Sequence, residues 1–422
     1  MNFKNDIEFA KYIQELGGVL YIVGGFVRDS FLNKKSNDKD YVITGIKFKD
    51  IPFEKVVGAS FPVYIVNINN ENCEIAIARK EIKHGIGHNG FSFYTDKVTI
   101  EEDLFRRDLT INAIAINVLT KEIIDPYNGR DDIKNKILRN VSNHFKDDYL
   151  RIFRVCRFSS QLGFSISDSL FSLMLSMNSD KELNEISYER IWKETEKSLL
   201  AKYPDKFFIY LNELELLKKF MPEIAALNVE DMHDGTSLNH TLKLLYHGNN
   251  TIEDKFSLLC HDFGKGVTNK DMHPKHYGHD KLGINEIEKF CNRLRISTKL
   301  KRLAIKSSQY HMVIKKIYEM RIGKCFRLID KLNNEFVHVS RISFIDSAFR
   351  EDGNLEQSLN DHKQRCIYYN QYLNTIASIT GKSLIENGYE GSGKCFGITL
   401  FNKRVNYFKK KINEYKILNI LE

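Results

Sequence analysis

Apolar and polar positions along this chain follow two regimes. Up to about residue 135 the apolar runs are short and rich in β-branched residues: Val19 to Val23, Tyr41 to Thr44, FPVYIVNI from Phe61 and CEIAIA from Cys73. Such runs predict the strands of one small sheet. The opening MNFKNDIEFAKYIQELGG has the spacing of an amphipathic helix and carries acids, so no secretory signal is expected. EEDLFRRDLTINAIAI, from Glu101, ends in an apolar run that fits either a helix or a strand. RKEIKHGIGHNGFSFYTD (Arg79 to Asp96) is glycine-rich and polar, which predicts a mobile loop or a plain hairpin. DPYNGRDDI, from Asp125, reads as a turn. From about 136 onward the period is helical, as in FKDDYLRIFRVCRFSSQLGFSI and SYERIWKETEKSLL, with Trp192 expected in the core. The fold class is therefore α+β, a small N-terminal sheet followed by mostly helical segments, divided at about 1–135, 136–230, 231–330 and 331–422.

Composition narrows the class. At 422 residues with 42% hydrophobic and 28% charged positions, the chain has material for several cores. Its formal charge of +8 hints at a polyanionic partner, weakly, because 63 basic and 55 acidic residues are well mixed. No apolar stretch reaches the roughly 20 residues that span a bilayer. Seven cysteines without a CxxC pair point to reduced thiols. A cytoplasmic protein with no membrane contact is expected, monomeric or homodimeric.

The densest chemistry lies in YIVGGFVRDSFLNKKSNDKDYVIT, from Tyr21. A strand runs into Gly24 and Gly25, a short helix carries Arg28 and Asp29, and a second strand opens with Asp38 and Asp40. Strand side chains two apart share a face, so the two carboxylates can converge on a hard cation such as Mg²⁺. Glycines let the backbone approach a phosphate closely, and Arg28 offers a forked cation to it. Alone, an Asp-x-Asp is usually a solvated loop end; the order of these parts is what reads as metal-dependent nucleotidyl transfer. Glu74 offers a third carboxylate, more often a strand-end ion pair.

A second row sits further on, where Asp148, Arg151, Arg154 and Arg157 recur every three residues. Each step drifts about 60° around a helix, so early and late members face different parts of a ligand. Ile152, Phe153, Val155 and Phe158 fill the remaining positions as core. Cytosine and adenine each present an amino donor beside a ring-nitrogen acceptor. A carboxylate and a guanidinium match that pair, whereas uracil and guanine would leave both groups unpaired.

These motifs resemble the class II tRNA nucleotidyltransferase and bacterial poly(A) polymerase family. GGFVRD with DKD ten residues after its arginine, the RRDxxxNA pattern at Arg106 to Ala113, and DxxxGxxDL, with Ile133 for Leu, all lie in register. The base-selecting EDxxR motif reads Asp147-Asp148-Tyr149-Leu150-Arg151, with Asp for Glu, and ERIxxE follows at Glu189, whose Glu189 and Arg190 are expected to brace the preceding helix. Residues 1–135 would then be a nucleotidyltransferase palm, 136–230 a neck and body, 231–330 an HD domain and 331–422 a helical tail. The resemblance implies stepwise addition of C, C and A to the tRNA 3′ end and acceptor stem from CTP and ATP, with Mg²⁺ on Asp38 and Asp40. It implies phosphate contacts from Gly25, Arg28, Arg107, Arg154 and Arg157, and base choice by Asp148 and Arg151. Arg79 to Asp96 would match the flexible loop of CCA-adding members. Poly(A) polymerase is the near alternative.

A different set of residues follows. His240, then His261-Asp262 in HDFGKG, then His273, His276 and His279, resemble an HD-type metal phosphohydrolase, whose activity there would be that of a 2′,3′-cyclic phosphodiesterase, 2′-nucleotidase or phosphatase. The resemblance implies His240, His261 and Asp262 as ligands of Ni²⁺ or another divalent metal. Where a second His-Asp pair is expected the chain has His311-Met312, and a thioether does not replace a carboxylate on a hard cation. Asp280 is a candidate substitute. The chain could also be chiefly such a hydrolase. The lysines near the end (Lys403, Lys409, Lys410, Lys411) are a solvated face or a phosphate-tracking surface.

Overall fold

Val19–Val23 is an interior strand of the N-terminal sheet in the computed structural model, which describes residues 2–35, 39–46, 56–57, 63–85 and 91–418. It pairs antiparallel with Asp40–Thr44 on one side and with Ala115–Asn117 on the other. The sheet continues from Asp40–Thr44 to Glu71–Ile77 in parallel, then to Val63–Ile68 and Asn2–Phe3, giving eight strands with Val56–Val57 and Ile123–Ile124. Leu20, Ile22, Val23, Val42 and Ile43 are buried, as β-branched and leucine side chains of a covered central pair should be. Each such side chain contributes about 1.5–3 kcal/mol by leaving water. The amphipathic N-terminal helix Asp6–Glu15 buries Phe9, Ala10 and Ile13 and is capped by Asn5.

The two segments with open readings resolve as follows. Within Arg79 to Asp96, Lys80–Lys83 pairs antiparallel with Phe91–Tyr94 in a two-stranded ribbon, and residues 86–90 lie outside the described residues. The stretch from Glu101 is both helix and strand. Ile100–Phe105 is a helix with a Thr99–Glu102 capping box, and Ala115–Asn117 is a strand.

The chain divides into two compact units, Met1–Glu215 and Leu216–Glu422. The helical part of the first unit is built on Leu150–Leu162, packed against Tyr188–Leu199 and Asp205–Glu213. Ile152, Phe153, Val155 and Cys156 are fully buried there. Gly163 ends the helix at φ 77°, and a Cβ at that position would lie 2.7 Å from the Tyr203 ring. Trp192 departs from expectation, being half-buried rather than core. The buried stripe of its helix runs through Ile191, Glu194, Thr195 and Ser198, and Trp192 stands about 100° off the Ile191 position.

The named elements of the second unit are all helices among its described residues. One of its cores joins Ile314, Phe326, Ile329, Phe336, Val339, Phe408 and Ile412. Its helices Ser237–Leu244, His279–Leu294, Thr298–Lys315 and Phe336–Ala348 carry His240, His279, His311 and Asp346, while His261 directly follows the helix Ile252–Cys260 and His273 and His276 lie in the connection before His279. Among the described residues no helix is long and apolar enough to cross a membrane, and all seven cysteines are free thiols.

Candidate functional site

The strand register decides the geometry of the first site. Val23 pairs with Asp40, so the glycine turn that follows one strand lies beside the carboxylate that opens the next. Gly24 has φ 73°, and a Cβ there would stand 3.3 Å from Asp40 Oδ2 and 3.5 Å from Arg107 Nη1. The missing side chain leaves a cradle between an acidic and a basic group, which fits a cation on one side and a phosphate on the other. Gly24→Ala is expected to lower nucleotide addition about tenfold or more, from roughly 1–2 kcal/mol of left-handed strain plus crowding of Asp40. A steady-state assay beside a melting curve checks it; unchanged turnover would show that the close approach is not used. Asp38 lies outside the described residues. Glu74 is exposed and in register with Asp40 on the neighbouring parallel strand.

Gly24, Gly25, Arg28, Asp40 and Arg107 share one open cleft of about 590 Å³ with Asp148 and the arginines of Leu150–Leu162. That volume lies in the range of small-molecule sites. Its floor is a chain of charge-assisted hydrogen bonds. Arg28 Nη1 donates to Asn112 Oδ1 (2.9 Å), Asn112 Nδ2 donates to Asp108 Oδ1 (3.2 Å), and Arg154 donates to Asp108 Oδ2 through Nε (2.9 Å) and Nη2 (2.7 Å). Burial would raise the Asp108 carboxyl, but Arg154 and Arg151 outweigh it and hold it well below the usual range. Asp103 is likewise buried and is held down to about 2 by Arg106 and Arg107, which both donate to it. Arg107 Nη1 also reaches the Asn112 carbonyl oxygen at 3.4 Å.

The row from Asp148 to Arg157 winds as its spacing predicts. Arg157, near its end, is buried, donating to Glu194 and, at 2.6 Å, to Gln161 Oε1. Burial lowers its pKa, and Glu194 opposes that. Phe158 lies under three guanidinium groups, those of Arg157 (3.8 Å), Arg28 (5.3 Å) and Arg154 (5.6 Å), so this core residue is also a cleft wall. Asp148 and Arg151 line the same cleft but each has a partner from the protein. Asp148 Oδ2 accepts from Arg190 at 2.7 Å, and Arg151 donates to the carbonyl oxygens of His144 and Arg106, both at 2.7 Å. Arg190 thus holds Asp148, just ahead of the helix Leu150–Leu162, and itself lines the cleft. The roles of Asp108 and Asn112 as the link between Arg28 and Arg154 were not anticipated. The adjacency of RRD and NA in sequence was the only signal.

The second unit gathers another polar cluster, also buried. His261 Nδ1 donates to the Leu258 carbonyl (2.8 Å), His279 Nδ1 to that of His276 (2.9 Å) and His311 Nδ1 to that of Ser308 (2.8 Å). These bonds fix the tautomer and turn each Nε2 inward, the arrangement that second-sphere partners impose on metal-ligating histidines. His240 is held between Asp234 (2.7 Å) and Asp346 (3.1 Å). His261 Nε2 and Asp262 Oδ1 are buried without a hydrogen-bond partner, so the donor set fits a divalent cation. Burial lowers His261, but Asp262 and Asp346 outweigh it and raise it to about 10, while burial dominates at His311 and pushes it down to about 3. The carboxylate grouped with His240 and His261 is Asp346 rather than Asp280 or a residue after His311, while Asp262 is grouped with His279 and His311. Asp346 stands 106 positions from His240 in the last turn of the helix Phe336–Ala348, where no local pattern marks it. Met312 lines the cavity beside the cluster and is partly exposed.

Comparison with known proteins agrees with this geometry. The poly A polymerase head domain family matches residues 20–139, and the probable RNA and SrmB-binding site of polymerase A matches residues 163–227. The multifunctional CCA protein of Mannheimia succiniciproducens is 36% identical over 398 residues, covering 88% of this chain and 93% of that one. That of Acinetobacter baumannii is 34% identical over 415 residues, covering 95% and 99%. Among solved structures, the Bacillus stearothermophilus CCA-adding enzyme in complex with CTP superposes with a TM-score of 0.66 at 21% identity, covering 97% of each chain. The Thermotoga maritima CCA-adding enzyme complexed with tRNA_CCA gives 0.64 at 19%, covering 98% and 94%. The structural likeness carries the α+β fold, and the sequence identity along nearly the whole length carries the family. This chain belongs to the multifunctional CCA protein family.

Proposed function

We propose that the chain is a CCA-adding tRNA nucleotidyltransferase that appends C, C and A to the tRNA 3′ end from CTP and ATP, without a nucleic-acid template. The observation that carries the reading is the single cleft in which the Gly24–Asp40 cradle meets a guanidinium-lined floor and the Asp148–Arg151 pair. Relatives named multifunctional CCA proteins and solved structures of CCA-adding enzymes with CTP and with tRNA_CCA support it. Asp38 and Asp40 would hold Mg²⁺, which when bound lowers the pKa of the attacking ribose hydroxyl and stabilises charge on the reacting phosphate. That hydroxyl attacks the α-phosphate in line, and pyrophosphate leaves. Arg28, Arg107, Arg154 and Arg157 neutralise the triphosphate, with Gly25 in the turn that admits it. Asp148 accepts from the amino group of cytosine or adenine, and Arg151 donates to the ring nitrogen after exchanging its backbone carbonyl partners. Arg190 keeps Asp148 oriented through that exchange. The tRNA acceptor end would lie on the helical region matched at 163–227, in a cytoplasmic protein that is monomeric or homodimeric. The four-part organisation into head, neck and body, HD domain and tail belongs to the same reading.

The test gives the purified chain a tRNA transcript lacking CCA, with Mg²⁺ and labelled CTP and ATP, separately and together. Two C residues from CTP alone, and one further A when both are present, are expected. A long A tract from ATP alone would make the chain a poly(A) polymerase instead. The inward-facing histidines favour a second activity in the Leu216–Glu422 unit, a metal-dependent phosphohydrolase acting on a ribonucleotide phosphate, with His240, His261, Asp262 and Asp346 as ligands and Ni²⁺ among the metals to try.

A further inference from the structure

The cleft that holds the arginine row does not end at Arg157. A second recess of about 460 Å³ opens beside it, and the two share Arg28, Gln161 and Lys197 as a common wall. Lys34 and Lys202 line only the second recess, and Asp29 is the one carboxylate among its lining residues. Arg28 is pinned from both sides. Its Nη1 donates to Asn112 in the floor of the first cleft at 2.9 Å, its Nε donates to Asp29 Oδ1 at 2.9 Å, and its Nη2 stands 2.8 Å from the same oxygen. Asp29 is therefore already neutralised, while Lys34, Lys197 and Lys202 have no carboxylate partner among the described residues. Lysines on a surface are usually no more than solvated. Gathered in a recess without acids, they hold multiply charged anions, and here the recess adjoins a nucleotide cleft.

Gln161 marks the passage between the two. It sits one turn beyond Arg157, which donates to its Oε1 at 2.6 Å, so its amide hydrogens are left for a ligand. From Arg154 to Leu162 the helix rises roughly 12 Å at about 1.5 Å per residue. Donors for phosphate oxygens thus continue from the arginines to the Gln161 amide and on to the lysines.

The geometry of the transfer says which anion takes this path. Attacking and leaving oxygens lie in line through the reacting phosphorus, so the tRNA hydroxyl and the departing pyrophosphate stand on opposite sides of the α-phosphate. With Asp40 at the reacting phosphate, the rest of the triphosphate runs along Arg154 and Arg157 toward Gln161 and Lys197. Lys197 and Lys202 also fall within the RNA-binding match at 163–227, which makes tRNA the rival occupant, but its reacting end approaches from the other side. We propose that the second recess is an exit site for pyrophosphate, in which Gln161, Lys34, Lys197 and Lys202 hold the leaving group while the next nucleotide enters the first cleft. No bond is made or broken there. That the anion is pyrophosphate rests on the nucleotidyltransferase reading above; the anion site does not.

Equilibrium dialysis of labelled pyrophosphate against the full-length chain tests it, with Mg²⁺, without tRNA, and with CTP at the level that just fills its own site. Pyrophosphate is expected to bind beside CTP, about one per chain. Lys34→Gln/Lys202→Gln, at two exposed positions, is expected to weaken that binding about tenfold and to leave CTP affinity and the single-turnover rate of C addition within about twofold. In steady state, pyrophosphate should inhibit the parent even at saturating CTP, and the double variant should lose that component. Complete displacement of pyrophosphate by CTP, or binding unchanged in the double variant, overturns the proposal. A raised KM for tRNA with pyrophosphate binding intact gives these lysines to the RNA instead. Extension of a tRNA transcript by the parent separates the two ideas. Pyrophosphate bound beside CTP without extension keeps the anion site and ends the transferase reading, and extension without a second site does the reverse.

Discussion

Asp40→Asn is expected to reduce incorporation of labelled CTP into tRNA by about 10³-fold or more while leaving the fold and nucleotide binding nearly intact. The argument starts from position. Asp40 opens its strand beside the glycine turn, with its carboxylate exposed to the cleft rather than built into the core. Exposed substitutions away from packed features usually change stability by no more than about 0.5 kcal/mol, so the melting temperature should hold. Affinity for the triphosphate comes mainly from Arg28, Arg107, Arg154 and Arg157, which the change leaves in place. What is lost is a carboxylate able to hold a cation at the reacting phosphate. Several kcal/mol of transition-state stabilisation depend on such an ion, and each 1.36 kcal/mol is a factor of ten in rate. Single-turnover rates at saturating CTP, with a melting curve beside them, decide the matter. A rate within tenfold of the parent would remove Asp40 from the chemistry.

Asp108→Ala should act differently, on the shape of the site before its chemistry. Asp108 is the one carboxylate that accepts from both Arg154 and Asn112, and Asn112 in turn holds Arg28. Without it, Arg154 loses its hydrogen-bonded carboxylate beside Arg151 and Arg157, and the Asn112 that accepts from Arg28 loses its own brace. Removing one partner of a buried pair costs about 3–5 kcal/mol. The Arg154 side chain is 36% exposed, so screening brings the expected loss nearer 2–3 kcal/mol. KM for CTP and ATP should rise about 10- to 100-fold, more than kcat falls, because the damage is to triphosphate binding. Asp108→Asn, which keeps the shape and drops the charge, should recover part of the binding. The pH dependence has a definite sign. Because the folded-state pKa lies below the unfolded value of about 3.9, the carboxylate contributes its full stability above that value and loses it as the pH falls through the folded pKa. The stability gap between parent and Asp108→Asn should thus stay flat from about pH 5 to 8 and narrow only in stronger acid. An unchanged KM in Asp108→Ala would mean that the arginines are placed without this link.

These two positions also mark what a reader of the sequence can and cannot see. Asp40 was legible because its signal is local. A strand, a glycine turn, a short helix and a strand with an acidic start lie within about 25 residues, and alternation dictates which side chains share a face. The arginine row was legible for the same reason, since helical geometry alone dictates how residues three apart drift around the axis. Asp108 appeared in the sequence only as the acid after two arginines. Its partner Arg154 is 46 positions away, and nothing in the spacing says that the bend after the helix Ile100–Phe105 and the helix Leu150–Leu162 will meet there. Trp192 stands off the buried stripe of its helix, a placement that aromatic bulk alone does not reveal.

The second unit makes the division sharper. His240 and the His261-Asp262 pair were recognisable as a ligand pattern, and His279 and His311 could be noted without being joined to it. Asp346 could not be found, because a ligand set is completed by packing, here of the helix Phe336–Ala348 against Thr298–Lys315 and Ile252–Cys260. By itself the sequence determined the α+β class, the acidic strand, the glycine turn and the arginine row, all of which follow from periodicities within one or two elements. Only the tertiary structure decided which arginine each carboxylate holds and that Asp346 closes the histidine cluster. Side-chain hydrogen bonds and metal ligands act over about 3 Å, and contacts that short between distant residues exist only once the chain has folded.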